Sequence, residues 1–190
     1  MLGADASSLF LIDPGSQLIK VHAGTGYQKD LVAQRASYDL QGEGLTAWIA
    51  REGTLFKANS IDELHAHPHW AGKHTSVQKG REPNVFLGIP LKVIAMGGRE
   101  QVIGVLKVED IRPSQHHPEA YFTDQDQLLV EMMGNVITTV IQNTRLSDIH
   151  LRELNTNLQT LSAAIVGGLE MSVLVQRVVD TIARVLSADA

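Results

Sequence analysis

The chain has no cysteine among its 190 residues. That absence excludes disulfides, thiolate nucleophiles, zinc–thiolate sites and thioether-linked cofactors together. It fits a reducing compartment, and a cytoplasmic location is the expectation. Long apolar runs are missing too: no segment approaches the ~18–20 residues of a membrane span. The opening "MLGADASSLF" has no basic stretch followed by an apolar one, so it does not read as a signal peptide. Excess positive charge is lacking as well. The net charge is −5, the pI is near 5.9 and Lys and Arg form no run. Phosphate binding needs a cationic face, so the charge argues against a nucleic-acid partner, and none is expected. Proline is scarce, and none falls after Pro118, so nothing there need break a helix.

What remains is an ordinary globular balance, 44% hydrophobic and 19% charged. The length suits one domain plus an extension. Residues 7–13, "SSLFLID", read as a strand that ends at Pro14-Gly15. "QLIKVHAGTG" follows as the second strand of a hairpin, with Ile19 and Val21 facing the core. "GEGLTAWIAREG" is a short helix fenced by glycines, with Leu45, Trp48 and Ile49 on one stripe and Gly53 as its C-terminal stop. "TLFKAN" is a further strand, and residues 61–78 are a short helix or a loop. "NVFLGIPLKVI" and "QVIGVLKVEDI" are two strong strands around a Gly97-Gly98 turn. Pro90 places an edge or a bulge in the first of them. Residues 112–121 form a loop.

A long helix starts at Thr123, an N-cap with Asp126 three residues on to complete a capping box. Run to Val166, it would be about 65 Å long at 1.5 Å per residue. Met133, Ile137, Val140, Thr144, Ser147, Leu151, Leu154, Leu158, Leu161 and Ile165 step by 4 and 3 alternately along it. This is the a/d seam of a coiled coil, with a soft polar waist at Thr144 and Ser147. Before Thr144 the extra apolar residues Leu129, Met132, Val136 and Ile141 also suit a core-facing stripe. From 151 to 165 only the seam is apolar. The expectation is a homodimer through this helix, with Met133, Ile137, Val140, Thr144, Leu151, Leu154, Leu158 and Leu161 at the interface.

The two ends of the chain echo each other. Leu2, Ala4, Asp5 and Ala6 recur as Leu186, Ala188, Asp189 and Ala190, the second copy preceded by a helical pattern at Leu174, Val178, Ile182 and Val185. The expected reading is a fragment of a tandem array: a first unit without its opening helix, and at 169–190 the opening helix of a second unit.

The ordered set "ADASSLFLID", "AGTG", "GEGLTAWIAREG", "NVFLGIPLKV", "VIGVLKVED" and "FTDQDQLLVEMMGNVITTVIQN" resembles the GAF domain family. The resemblance covers about residues 1–145. Residues 146–168 resemble a signalling helix, and 169–190 the start of a following GAF domain. The resemblance implies an α+β fold: a mostly antiparallel six-stranded sheet, terminal helices on one face, and a ligand pocket on the other beneath the middle helices and loops. It implies a non-catalytic sensory or regulatory domain of a multidomain signalling protein, relaying a signal through a dimeric helix to an output domain. Departures narrow this. Cyclic-nucleotide-binding members carry Asn-Lys, then Phe, three residues and Asp-Glu. Here Glu109-Asp110 stands in the first place, and of the rest only Phe122 and Asp126 match. Covalent bilin attachment and methionine sulfoxide reduction both need cysteine. No cofactor is expected.

Four of the eight histidines lie within "HAHPHWAGKH", His65 to His74, in the region that the resemblance places over the pocket. In an extended segment His65, His67 and His69 share a side, an arrangement open to metal ligation with His74, Asp62 or Glu63. A functional metal site also needs a second shell, which the sequence does not supply, and no native metal is assigned. Alternatively the segment closes a small-molecule pocket. Trp70 would be a wall and Lys73 or Arg81 would hold an anion. The pocket candidates are Trp48, His65, His69, Trp70, His74 and Phe86. In the third reading Pro68 fixes a turn, Trp70 plugs against the sheet and the histidines are structural. Glu109 and Asp110, adjacent in a strand, point to opposite faces and form no acid–base dyad. His116-His117 has no partner spacing, and no Ser/His/Asp set, phosphate loop or zinc signature occurs.

The tandem reading carries a test. The 169–190 helix matches the part that the first unit lacks, and it is expected to cover that unit's vacant groove in cis or by exchange between chains. Deleting 169–190 should then lower the melting temperature and expose apolar surface to a hydrophobic dye; an unchanged melting temperature contradicts the docking.

Overall fold

The computed structural model describes residues 3–70, 82–95, 97–113 and 118–166, with side chains of the last helix through Thr144 and at Thr156 and Gln159. The chain divides into two compact units, Met1–Thr139 and Val140–Ala190. Lys73, His74, Arg81, His116 and His117, the side chains of Ser147, Leu151, Leu154, Leu158, Leu161 and Ile165, and the 169–190 helix lie outside the described residues.

The first unit is built on a six-stranded sheet of order β3-β2-β1-β6-β5-β4. Its strands are β1 (Ala4–Asp13), β2 (Leu18–Thr25), β3 (Ser37–Asp39), β4 (Phe56–Ala58), β5 (Phe86–Ile94) and β6 (Glu100–Ile111). Every neighbouring pair is antiparallel. The Pro14-Gly15 turn closes where the Asp13 carboxylate accepts from the Gly15 amide at 3.0 Å and pairs with Lys20. β1 has a bulge between Leu9 and Phe10, which bends the strand and sharpens its twist. Pro90 sits in β5 beyond the end of β4, which pairs only with Phe86–Gly88, and one residue before a bulge at Leu91/Lys92. Its missing N–H therefore costs no ladder bond on that side.

The two faces of the sheet are covered differently. On one, Phe10, Ile19, Phe86 and Val105 pack with Leu31 of α1 (Lys29–Ala33), Leu45 and Ile49 of α2 (Leu45–Glu52) and Leu64 of α3 (Ile61–Ala66). On the other, Ile89 and Leu91 meet α4 (Asp124–Val166), where a Cβ built on Gly134 would lie 2.7 Å from Ile89 Cδ1 and 3.2 Å from Leu91 Cδ2. The start of α4 is fixed locally. Thr123 Oγ1 accepts from the Asp126 amide at 3.2 Å, and Asp126 Oδ2 accepts from the Thr123 amide at 2.8 Å, the expected capping box. It is fixed to β4 as well: the Asn59 side chain bonds both the amide and the carbonyl of Phe122, and Lys57 pairs with Asp124.

Asp126, Val130, Gly134 and Thr138 make the buried line of α4, at intervals of four. Of the expected seam, Ile137 is partly buried, whereas Met133 and Val140 are 50% and 58% exposed and Thr144 is exposed. Leu128, Leu129, Met132 and Val136 are exposed beside them. An apolar strip therefore faces away from the sheet along this part of the helix.

At Gly134 the helix α4 approaches the sheet closely. Replacing it with alanine combines a helix-propensity gain of about 1 kcal/mol with a push on the flexible end of Ile89. Leucine has no room, and overpacking of this kind costs about 1–3 kcal/mol. Thermal unfolding should show Gly134→Leu well below wild type and Gly134→Ala close to it.

Candidate functional site

The site is built on the α2/α3 face. Two glycines hold α2: Gly44 at φ 110° before it and Gly53 at φ 62° after it, where the Gly53 amide closes onto the Ile49 carbonyl. Both conformations favour glycine, and the second is the expected helix stop. α3 is capped by Ser60, whose hydroxyl accepts from the Glu63 amide at 3.1 Å. The chain then turns over Pro68, with the Trp70 amide bonded to the His67 carbonyl at 2.9 Å.

This turn delivers an aromatic–imidazole roof. The His67 ring lies between Trp48 at 4.6 Å and Phe56 at 4.4 Å between centroids. His69 stacks on Trp48 at 6.1 Å, and Phe56 touches the buried Phe86 at 6.0 Å. His67 Nδ1 accepts from the His69 amide at 3.2 Å, so the neutral ring carries its proton on Nε2. Burial, and then the neighbouring His69 charge, lower the His67 pKa below the usual histidine value.

Of the expected pocket residues, the structure joins Trp48, His69 and Phe86 through His67, expected only as a possible metal ligand, and Phe56, which was not a candidate. His65 belongs to α3 rather than to an extended segment. Its ring stacks on Trp70 at 5.6 Å and its Nε2 lies 3.0 Å from Glu82 Oε2. Thus His65, His67 and His69 do not share a side as an extended chain would place them. Among the described residues no group of three or more His, Asp or Glu is placed to hold a metal ion. Trp70 is partly buried against the core, as a plug would be.

Beneath the roof lies a polar floor. Lys107 and Glu109 are wholly buried in β6. The Lys107 ammonium reaches Glu109 Oε1 at 3.3 Å and sits over the Phe10 ring at 5.0 Å and the Phe86 ring at 6.0 Å. The side-chain amide of Gln28, also buried, donates to Glu109 Oε2. Burial pulls the Lys107 pKa below the usual lysine value, and Glu109 opposes that. Ser8, paired with Lys107 across β1 and β6, has its hydroxyl buried without a hydrogen-bond partner among the described residues. Asp110 turns away from Glu109: at φ 55° its carboxylate accepts from the Asn84 amide at 2.7 Å and the Val85 amide at 3.3 Å. The two acids form no dyad. The sequence reading missed this floor, although Lys107 and Glu109 continue the parity of the core residue Val105.

The GAF domain family model matches residues 1–142, and the chain belongs to the GAF domain family. No curated protein matches. Among solved structures, the GAF domain of a Coxiella burnetii phosphoenolpyruvate-protein phosphotransferase (ptsP) is 22% identical, with a TM-score of 0.58 over 77% of this chain and 76% of that one. The GAF domain of an Acinetobacter phosphoenolpyruvate-protein phosphotransferase is 20% identical, with a TM-score of 0.56 over 76% and 75%. The second GAF domain of DevS from Mycobacterium smegmatis is 11% identical, with a TM-score of 0.54 over 78% and 87%. At these identities the likeness is one of fold. GAF domains are regulatory, generally non-catalytic modules of signalling and sensor proteins. Among the described residues no helix is long and apolar enough to cross a membrane.

The lowered His67 pKa predicts that the fold loses stability in acid. A histidine whose pKa is lowered by folding takes up its proton more readily in the unfolded chain. The stability it permits is whole above about pH 6.5, the unfolded value, and is lost as pH falls from there through the folded value. His67→Phe keeps a ring between Trp48 and Phe56 and removes the titration. Melting temperatures at about pH 7.5 and pH 5.5 should fall further on acidification for wild type than for His67→Phe; equal falls would assign the acid sensitivity elsewhere.

Proposed function

We propose that the domain is a non-catalytic sensor in a multidomain cytoplasmic signalling protein. It binds a small molecule on the α2/α3 face and relays the event through α4, as a helix-mediated homodimer, to an output domain. The observation that carries the reading is the Lys107–Glu109–Gln28 floor. Stability alone favours apolar residues at such positions, because the desolvation of a buried ion pair rivals its attraction. Polar groups gathered under an aromatic roof are what a small-molecule site requires. The relay has a short route: Phe86 lines the site, Ile89 and Leu91 of the same strand touch α4, and Asn59 ties β4 to Phe122. The exposed strip through Met133, Val136 and Val140 supports pairing of two helices. The Thr144/Ser147 waist suits two states close in energy, which a switch needs.

A second reading, a dimerisation spacer that binds nothing, is favoured by the close packing of Ile49 over Gly88, where an added Cβ would lie 2.5 Å from Ile49 Cδ1. Native mass spectrometry of tag-free protein separates the two. A dimer with a discrete bound mass is the expected result for the sensor. A dimer that stays unliganded through a metabolite screen supports the spacer. A monomer at micromolar concentration contradicts the helical relay in both.

A further inference from the structure

The floor also constrains the charge of what it binds. Resting on the sensor reading above, we propose that the ligand is a free α-amino acid with an uncharged side chain, held as its zwitterion. Among the described residues the floor offers one ammonium, Lys107, and one carboxylate, Glu109, both fully buried and paired with each other, and their formal charges cancel. In a medium this far from water a ligand with net charge adds an uncompensated buried ion, whereas a zwitterion adds none. The geometry provides for both ligand charges. Ser8 and Lys107 are register partners on neighbouring strands, which brings their Cβ atoms to about 5 Å. The Ser8 hydroxyl is buried with no hydrogen-bond partner among the described residues, a group that calls for an explanation in a folded protein. The ligand carboxylate accepts from that hydroxyl and from the Lys107 ammonium. The ligand ammonium donates to Glu109, the next floor position along β6. Its side chain lies along Phe86 toward Phe56, rings 6.0 Å apart. Entry requires Ile49, which now covers Gly88, to lift with α2, which is bounded by two glycines at positive φ, Gly44 and Gly53.

The test is thermal shift on the full chain with L-leucine, L-methionine, L-phenylalanine and L-glutamine, each beside its N-acetyl form (a single negative charge) and its amide form (a single positive charge) at equal ionic strength. At least one amino acid should raise the melting temperature by several degrees in a saturable way, and neither derivative of it should. Ser8→Ala should weaken the shift at least tenfold in apparent affinity, and Lys107→Met should abolish it. Lys107→Met/Glu109→Leu should melt as high as wild type or higher, as expected of a pair kept for binding rather than stability, and near-ultraviolet circular dichroism verifies its fold. The proposal is overturned if none of the four shifts wild type, if the N-acetyl form acts as well as the amino acid, or if the shift survives Lys107→Met. These outcomes are separable from failure of the sensor reading: a bound mass in native spectrometry that is not an amino acid keeps the sensor and overturns the zwitterion.

Discussion

From Ile103 to Ile111 every residue of β6 is buried, on both faces of the sheet. The rest of the domain depends on that condition. A strand covered on both sides has no solvated face on which to place charge, so each polar side chain in it must be matched locally. Glu109 finds Gln28 and Lys107, and Asp110 finds the amides that lead into β5. Those local solutions hold the 3-10 turn Gly26–Gln28 and the entry to β5 in place. The candidate site lies where this strand gathers its buried charges, and the two faces of the sheet are mechanically linked there: β5, hydrogen-bonded along β6, presents Phe86 to the roof and Ile89 to α4.

Much of the fold was legible because its signals are local. The Pro14-Gly15 hairpin, α2 between its glycines, the capping box of α4 and the bulge after Pro90 are each written in a few adjacent residues, and each is found. β3 was not read directly. It has three residues, and its pairing with β2 at Leu18–Lys20 supplies what its own composition does not. Tertiary pairing made that strand, as it does wherever propensity is weak.

The candidate site was legible only in part. Trp48 and Phe86 could be named because an aromatic in a short amphipathic helix and one at a strand start are expected to face inward. His67 could not be told from its neighbours, since α3 carries through Ala66 and rotates His65 out of the extended pattern. Lys107 and Glu109 carry no local signal of burial, because charged residues in a strand ordinarily take its solvent face. Their parity with Val105 pointed the other way, but parity alone does not say that both faces are covered. The packing of α4 on the opposite side decides it.

The register of β1 has a consequence for how the domain is made. β1 is paired on one side by β2, a few residues away, and on the other by β6, about 100 residues later in the chain. A chain emerging from the ribosome holds the hairpin early but leaves the far edge of β1 open until residues 100–111 arrive. That edge carries Phe10, Leu9 and Leu11 beside unpaired backbone groups, the kind of template on which chains associate wrongly. Contacts of such long sequence separation also form slowly. The strand that carries the buried charges is therefore also the one whose arrival closes the sheet, and any fragment that stops short of it leaves the hairpin a partner for the wrong chain.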